Sequence, residues 1–217
     1  MITPPPRRYD YVTEADEIYR RSFAMIRAET DLSGLPEDAR VVAVRMIHAA
    51  GDTGLVSDMA FHPRVVSAAR EALEAGAPIF TDARMIASGI TRARLPKDND
   101  VRCLLGEPGL AALAREWQTT RSAAAVSLWG DELEGAVVAI GNAPTALFHL
   151  LEQVADGGPR PAAIVGIPVG FVGSAESKVA LAQNPWDLPF LVVHGRRGGS
   201  ALCASALNAL AQEAELA

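Results

Sequence analysis

Three short runs in the last third of the chain constrain its fold more than any other feature. Ala136-Val-Val-Ala-Ile140, Ala162-Ala-Ile-Val165 and Pro189-Phe-Leu-Val-Val193 are apolar at consecutive positions, not at alternate ones. A strand of that kind buries both faces. Each run is followed by a glycine-bearing turn and then a helical pattern: Pro144 to Asp156, Gly173 through Ala182, and Ser200 to Gln212. Buried strands alternating with helices imply a parallel sheet covered on both sides.

The upstream chain reads in the same way. Pro4, Pro5 and Pro6 make the first residues an extended arm, taken as residues 1–12. One α/β domain is expected over 13–217, because no linker, repeat or low-complexity segment divides it. Thr13 with Asp16 has the spacing of a weak capping box. Behind it, Ile18, Ser22, Met25 and Ile26 share a helical face that fades near Glu29 to Asp31. A second helix is expected from Pro36 to just before Gly51. The run Leu55–Phe61 precedes a helix opened by Pro63 and closed by Gly76, and Pro78–Phe80 precedes a helix over Asp82–Ser88. Val101–Leu105 reads as a further strand, followed by helices near Leu110–Trp117 and Arg121–Leu133. The expectation is a single doubly wound α/β domain, its sheet mainly parallel with helices on both faces, and ligands outside the carboxyl ends of the strands.

Composition narrows the function. The 217 residues carry 49% hydrophobic and 21% charged residues and a formal net charge of −6. This suits a globular protein and lacks the basic footprint of a nucleic-acid binder. No run approaches the ~18 apolar residues of a membrane span, and the N-terminus has no apolar core of signal-peptide type, so a soluble cytoplasmic protein is expected. Cys103 and Cys203 show no metal-ligand spacing and read as small hydrophobes. There is no GxSxG, HExxH, GxGxxG or GxxxxGK[ST], and no lysine in an apolar strand. No metal and no cofactor are expected.

The remaining candidates lie at the strand-to-helix junctions and on helix faces. Gly141–Thr145, Gly166–Ser174 and Gly195–Ser200 each open a helix at the same sheet edge. They are either tight turns or a set of backbone N–H groups for a ligand with several carboxylates or phosphates. His149 and His62 read as a partly buried and a capping or surface residue, while His194 ends a strand at the ligand edge. His48 shares a face with Val41 and Val44 and stands in the last turn before Gly51. There the helix dipole stabilises an imidazolium, so it is either a core histidine or a proton donor. Arg121, in the first turn of its helix, is set against the dipole: a solvated arginine or one that answers to a ligand. Ser22 either bonds back to the carbonyl four residues earlier or faces a site.

The strings Arg21-Ser-Phe-Ala-Met-Ile-Arg-Ala-Glu29, Val44-Arg-Met-Ile-His-Ala-Ala-Gly51, Ala77-Pro-Ile-Phe-Thr-Asp82, Gly89-Ile-Thr-Arg-Ala-Arg-Leu-Pro96, Thr120-Arg-Ser-Ala-Ala124, Ala139-Ile-Gly-Asn-Ala-Pro-Thr-Ala-Leu147, Gly166 to Lys178 and Gly198-Gly-Ser200 resemble the precorrin-8X methylmutase family. The resemblance runs from about Tyr9 to Asn208. It implies an isomerase of cobalamin biosynthesis that moves a methyl group from C11 to C12 of precorrin-8X, a tetrapyrrole with several carboxylates, to give hydrogenobyrinic acid. The resemblance puts the family histidine on His48, and Ser22, Thr91 and Arg121 on positions lining the substrate pocket. Ser122, Asn142 and Ser200, inside the matching strings, complete the expected substrate-binding set. It also implies a homodimer holding the macrocycle near the subunit interface. The same shift on a cobalt-containing substrate, and a non-catalytic tetrapyrrole carrier, remain open.

Overall fold

A computed structural model describes residues 2–212; residue 1 of the expected arm and residues 213–217 of the expected domain lie outside the described residues. Nine helices and six strands occur among the described residues. The strands are β1 (Met59–Phe61), β2 (Ile79–Thr81), β3 (Val101–Arg102), β4 (Val137–Ile140), β5 (Ala163–Gly166) and β6 (Phe190–Val193). They form one sheet in the order β1-β6-β5-β4-β2-β3. All pairs are parallel except β1, which runs antiparallel along β6 with Met59 opposite Val193.

The helices are α1 (Ala15–Glu29), α2 (Ala39–Ala50), α3 (Val65–Glu74), α4 (Arg84–Gly89), α5 (Leu110–Glu116), α6 (Arg121–Ser127), α7 (Pro144–Ala155), α8 (Ser174–Ala182) and α9 (Ser200–Leu210). Successive strand residues enter opposite cores, as the pleat requires. Val137 and Ala139 pack with Val42, Ile47, Leu73 and Leu207. Val138 and Ile140 pack with Leu147, Leu150 and Leu181 on the other face. Each buried aliphatic side chain of this kind contributes about 1.5–3 kcal/mol, and the doubly covered parallel sheet follows from them.

The differences from expectation are local. Thr13 and Asp16 form no capping box: Glu14 precedes α1 without a side-chain bond. Pro36 opens a turn with i+3 bonds, Ala39 N–H to Pro36 O at 3.0 Å, and α2 begins after it. The run Leu55–Phe61 is a 3-10 turn over Thr53–Asp58 and only then the edge strand β1. Val101–Leu105 is a strand for two residues, after which the chain tightens into a 3-10 turn over Leu104–Gly106. The helix expected over Arg121–Leu133 stops at Ser127; Trp129 turns in to stack on Phe80 at 5.2 Å, and Gly130 takes a positive φ of 55°. The last helix ends at Leu210, short of Gln212. Cys203 is buried, which pushes its thiol well above the usual range, and Cys103 is half-buried; both are free.

Candidate active site

His48 occupies the last turn of α2, which Gly51 closes in the left-handed region at φ 64°. That geometry leaves the half-buried imidazole at the end of the α1–α2 seam. Ser22 on α1 does not bond back along its own helix: its Oγ lies 2.7 Å from His48 Nδ1. The ring is flanked by Tyr19 at 5.4 Å and by Phe23 at 5.4 Å, the latter edge-on at 86°. Behind Phe23 the Arg45 guanidinium sits 5.6 Å from the ring centroid, with Arg45 only 8% exposed. A hydrogen bond on Nδ1 and two rings on the flanks fix the imidazole and leave Nε2 for a ligand.

His48 lines two cavities of about 370 Å³ each. One lies between α1 and the segment after α2 and takes in Ser22, Met25, Asp52 and Thr53. Ile18, Ser22, Met25 and Ile26 share a face as expected and all line this cavity; Ile18 and Met25 are exposed, while Ile26 and Phe23 are buried. The other lies between α9 and the segment after α4, and takes in Thr91, Arg94 and Asn208. Ser200 is the first residue of α9, one position before Ala201, which lines this second cavity. The chain thus gathers His48, Ser22 and Thr91, with Ser200 adjacent.

Arg121 stands elsewhere. It borders a separate cavity of about 420 Å³ with Arg84, Glu107 and Leu110. Thr120 caps α6 by accepting from Ala123 N–H at 3.1 Å and meets Thr145 Oγ1 at 2.8 Å, which ties the start of α6 to the start of α7. Ser122 follows Arg121, half-buried in that first turn. Within one chain, Arg121 lines neither of the His48 cavities.

At the Gly141–Thr145 junction the tight-turn alternative holds, and its N–H groups are not free for a ligand. Asp82, 3% exposed, accepts from Gly141 N–H at 3.0 Å, Asn142 N–H at 3.0 Å and Ala143 N–H at 2.6 Å. The protein supplies the anion itself. Burial pushes the Asp82 carboxyl up, and the three amides pull it back. Sequence reasoning missed Asp82, although a carboxylate directly after the apolar β2 was its signal.

It also missed Lys178. This side chain is 0% exposed and donates from Nζ to Arg197 O at 2.7 Å; burial lowers its pKa to about 8. Arg197 in turn holds Asp52 at 2.8 Å and Asp58 at 2.9 Å. The signal was helical spacing: Ser174, Ser177 and Lys178 fall on the buried face of α8. His149 bonds Ser127 Oγ at 2.7 Å, and His62 accepts from Arg64 N–H at 3.2 Å. They are the satisfied partly buried and capping residues expected.

An α/β enzyme with a fixed imidazole between two cavities is the class that the fold and site define. The sequence profile of precorrin-8X methylmutase matches residues 17–213. A precorrin-8X methylmutase of Sinorhizobium sp is 58% identical over 204 residues, covering 94% of this chain and 97% of that protein. One of Pseudomonas aeruginosa is 55% identical over 206 residues, covering 95% and 99%. A cobalt-precorrin-8 methylmutase of Priestia megaterium is 32% identical over 198 residues, covering 91% and 87%. The solved structure of a precorrin-8x methyl mutase from Thermus thermophilus superposes with a TM-score of 0.81 at 41% identity, over 90% of this chain and 94% of that one. The chain belongs to the precorrin-8X methylmutase family.

Proposed function

We propose that this protein is the isomerase that moves the methyl group of precorrin-8X from C11 to C12, giving hydrogenobyrinic acid, with His48 as proton donor. The observation that carries the reading is the 2.7 Å bond between Ser22 Oγ and His48 Nδ1 at the junction of two cavities. In the imidazolium, Nδ1–H donates to Ser22 Oγ and Nε2–H faces the ligand, and giving up the Nε2 proton leaves a neutral imidazole. Protonating the macrocycle makes the 1,5-shift electronically favourable, and general acid assistance contributes about 10²–10⁴ in rate. The shift transfers no electrons to a partner and breaks no bond with water, so the reading needs no metal and no cofactor.

Each cavity is at the small end of the range for ligand sites, about 300–1,000 Å³. A tetrapyrrole reaching across His48 occupies both. Thr91 and Ser200 are assigned to its polar edge, and Asn142 is assigned there through its side-chain amide alone, because Asp82 holds its backbone N–H. Arg121 and Ser122 reach it from a second copy of the chain, because their cavity is apart from His48 in the same chain. A homodimer is therefore part of the proposal. Exposed Phe171 and Val172, at 82% and 90%, are apolar surface of the kind that such an interface covers. Residues 2–12 are assigned as an N-terminal arm whose last residue, Val12, lines the first His48 cavity, and the setting is cytoplasmic. No helix among the described residues is long and apolar enough to cross a membrane. Metal-free precorrin-8X is preferred over its cobalt form because the precorrin-8X methylmutases above are 55% and 58% identical, against 32% for the cobalt-precorrin-8 enzyme.

The test mixes protein with precorrin-8X in chelator-dialysed, nucleotide-free buffer and follows the visible spectrum. Wild type should convert it, and His48→Ala should lose turnover while still binding the tetrapyrrole. Binding without conversion by wild type would make the protein a carrier. Undiminished turnover by His48→Ala would remove the histidine from the mechanism.

A further inference from the structure

The second His48 cavity is electrostatically one-sided. Arg45, Arg94 and His48 line it, and no Asp or Glu is among the described residues that do. Arg94 is brought there by a specific construction. Asn208 on α9 grips the segment after α4 from both sides, accepting from Thr91 N–H at 2.8 Å and donating to Gly89 O at 2.9 Å. Gly89 lies so close to α9 that an added Cβ would come within 2.8 Å of Ala204 Cβ. From that clamp a 3-10 turn, Arg92–Arg94, runs beside the cavity. Its two arginines part: Arg92 donates to Asn99 O at 3.2 Å, outside the cavity, and Arg94 lines the cavity half-buried.

We propose that Arg94 anchors a side-chain carboxylate of the tetrapyrrole beside His48. The inference rests on the methylmutase reading for its ligand. A guanidinium matches a carboxylate with two parallel N–H bonds, and an acetate or propionate arm supplies that partner. A positive site beside the acid also favours an anionic arm over a neutral substituent, which selects one orientation of the ligand.

The experiment measures precorrin-8X binding by its visible absorption, and steady-state turnover, for wild type, Arg94→Ala, Arg94→Gln, Arg94→Lys and Arg92→Ala. Arg94→Ala and Arg94→Gln should raise Kd and KM about ten- to a hundredfold, with kcat held within about threefold, because one anchoring pair is lost and not the proton donor. Arg94→Lys should recover part of the loss, and Arg92→Ala should match wild type. Wild-type Kd should rise between about 0.05 and 0.5 M salt more steeply than that of Arg94→Ala. A Kd within twofold of wild type in both Arg94→Ala and Arg94→Gln overturns the assignment. So does an equal loss in Arg92→Ala, which would trace the effect to the turn and not to the Arg94 charge. A wild type that binds without converting sinks the methylmutase reading alone, because the Kd series still judges Arg94.

Discussion

Replacing Asp82 by alanine strands three backbone N–H groups at once. In the native protein the carboxylate receives Gly141 N–H on one oxygen and Asn142 and Ala143 N–H on the other. Hydrogen bonds to a charged group contribute about 1.5–3 kcal/mol each, and a buried donor left unpaired costs about 1–3 kcal/mol. The Gly141 bond is buried and incurs the full cost, whereas the bonds at Asn142 and Ala143 are part-buried and regain water on truncation. Removing Asp82 also removes the cost of burying its charge, which offsets part of the loss. The net expectation is about 3–5 kcal/mol of destabilisation, or roughly 10 °C in Tm for a domain of this size. Asp82→Asn keeps one acceptor and loses about half as much. Urea unfolding with matched m-values gives the difference directly. An Asp82→Ala variant within about 1 kcal/mol of wild type would refute the claim that this carboxylate caps the β4–α7 junction.

Lys178, with a pKa of about 8 in the fold, is protonated more readily in the unfolded chain than in the native one between pH 8 and 10.5. Stability referred to Lys178→Met should therefore rise with pH across that window, by at most roughly 1.4 kcal/mol per unit; a flat difference in urea unfolding would refute it. Gly198→Ala should cost about 3 kcal/mol, because an added Cβ runs into the carbonyl oxygens of Ile167 and Pro168, which are backbone and cannot yield; a wild-type midpoint would count against that contact. Arg121→Ala should weaken tetrapyrrole binding about tenfold, close to 1.4 kcal/mol, and esterified substrate should lose the same amount on wild type; unchanged affinity in both returns Arg121 to solvent. Sedimentation at micromolar concentration should give about twice the 22.9 kDa chain mass, and a monomer working at full rate would sink the shared site.

The sheet was legible because both faces of its strands are buried, so that hydropathy alone marks β4, β5 and β6. The elements misread are those whose ends are decided by contacts far away in the chain. The break after α6 depends on Trp129 stacking on Phe80, 49 positions earlier, and β1 owes its direction to pairing with β6. The position of His48 in the last turn before Gly51 was legible, yet nothing local could say that Ser22, from another helix, would engage its Nδ1. Asp82 and Lys178 escaped for a related reason. A charged residue next to an apolar run reads as a surface boundary unless its partners are known, and here the amides that donate to Asp82 lie 59 to 61 positions away and the carbonyl that accepts from Lys178 lies 19 away.

Those two buried charges bear on where the proposed site lies. The crevice outside the carboxyl ends of parallel strands is the usual ligand site, and this chain spends much of it on itself. Asp82 fills the β4–α7 junction. The next two junctions are tied together: Gly199 N–H donates to Ile167 O at 2.9 Å, Gly170 N–H to Arg196 O at 3.2 Å, and Lys178 to Arg197 O. A crevice built this way is rigid, with few donors left for a large anionic ligand. The open, cation-bearing surface begins beside it, where Arg197 holds Asp52 at the mouth of the first His48 cavity. From there it follows the seam of α1, α2 and α9. A rearrangement needs no lid to exclude water from a phosphate or an acyl group; it needs a broad ligand held in one register beside one acid. A stiff sheet edge that fixes Asp52, joined to a helical seam that presents His48, divides those tasks. The edge sets the frame, and the seam carries the proposed proton.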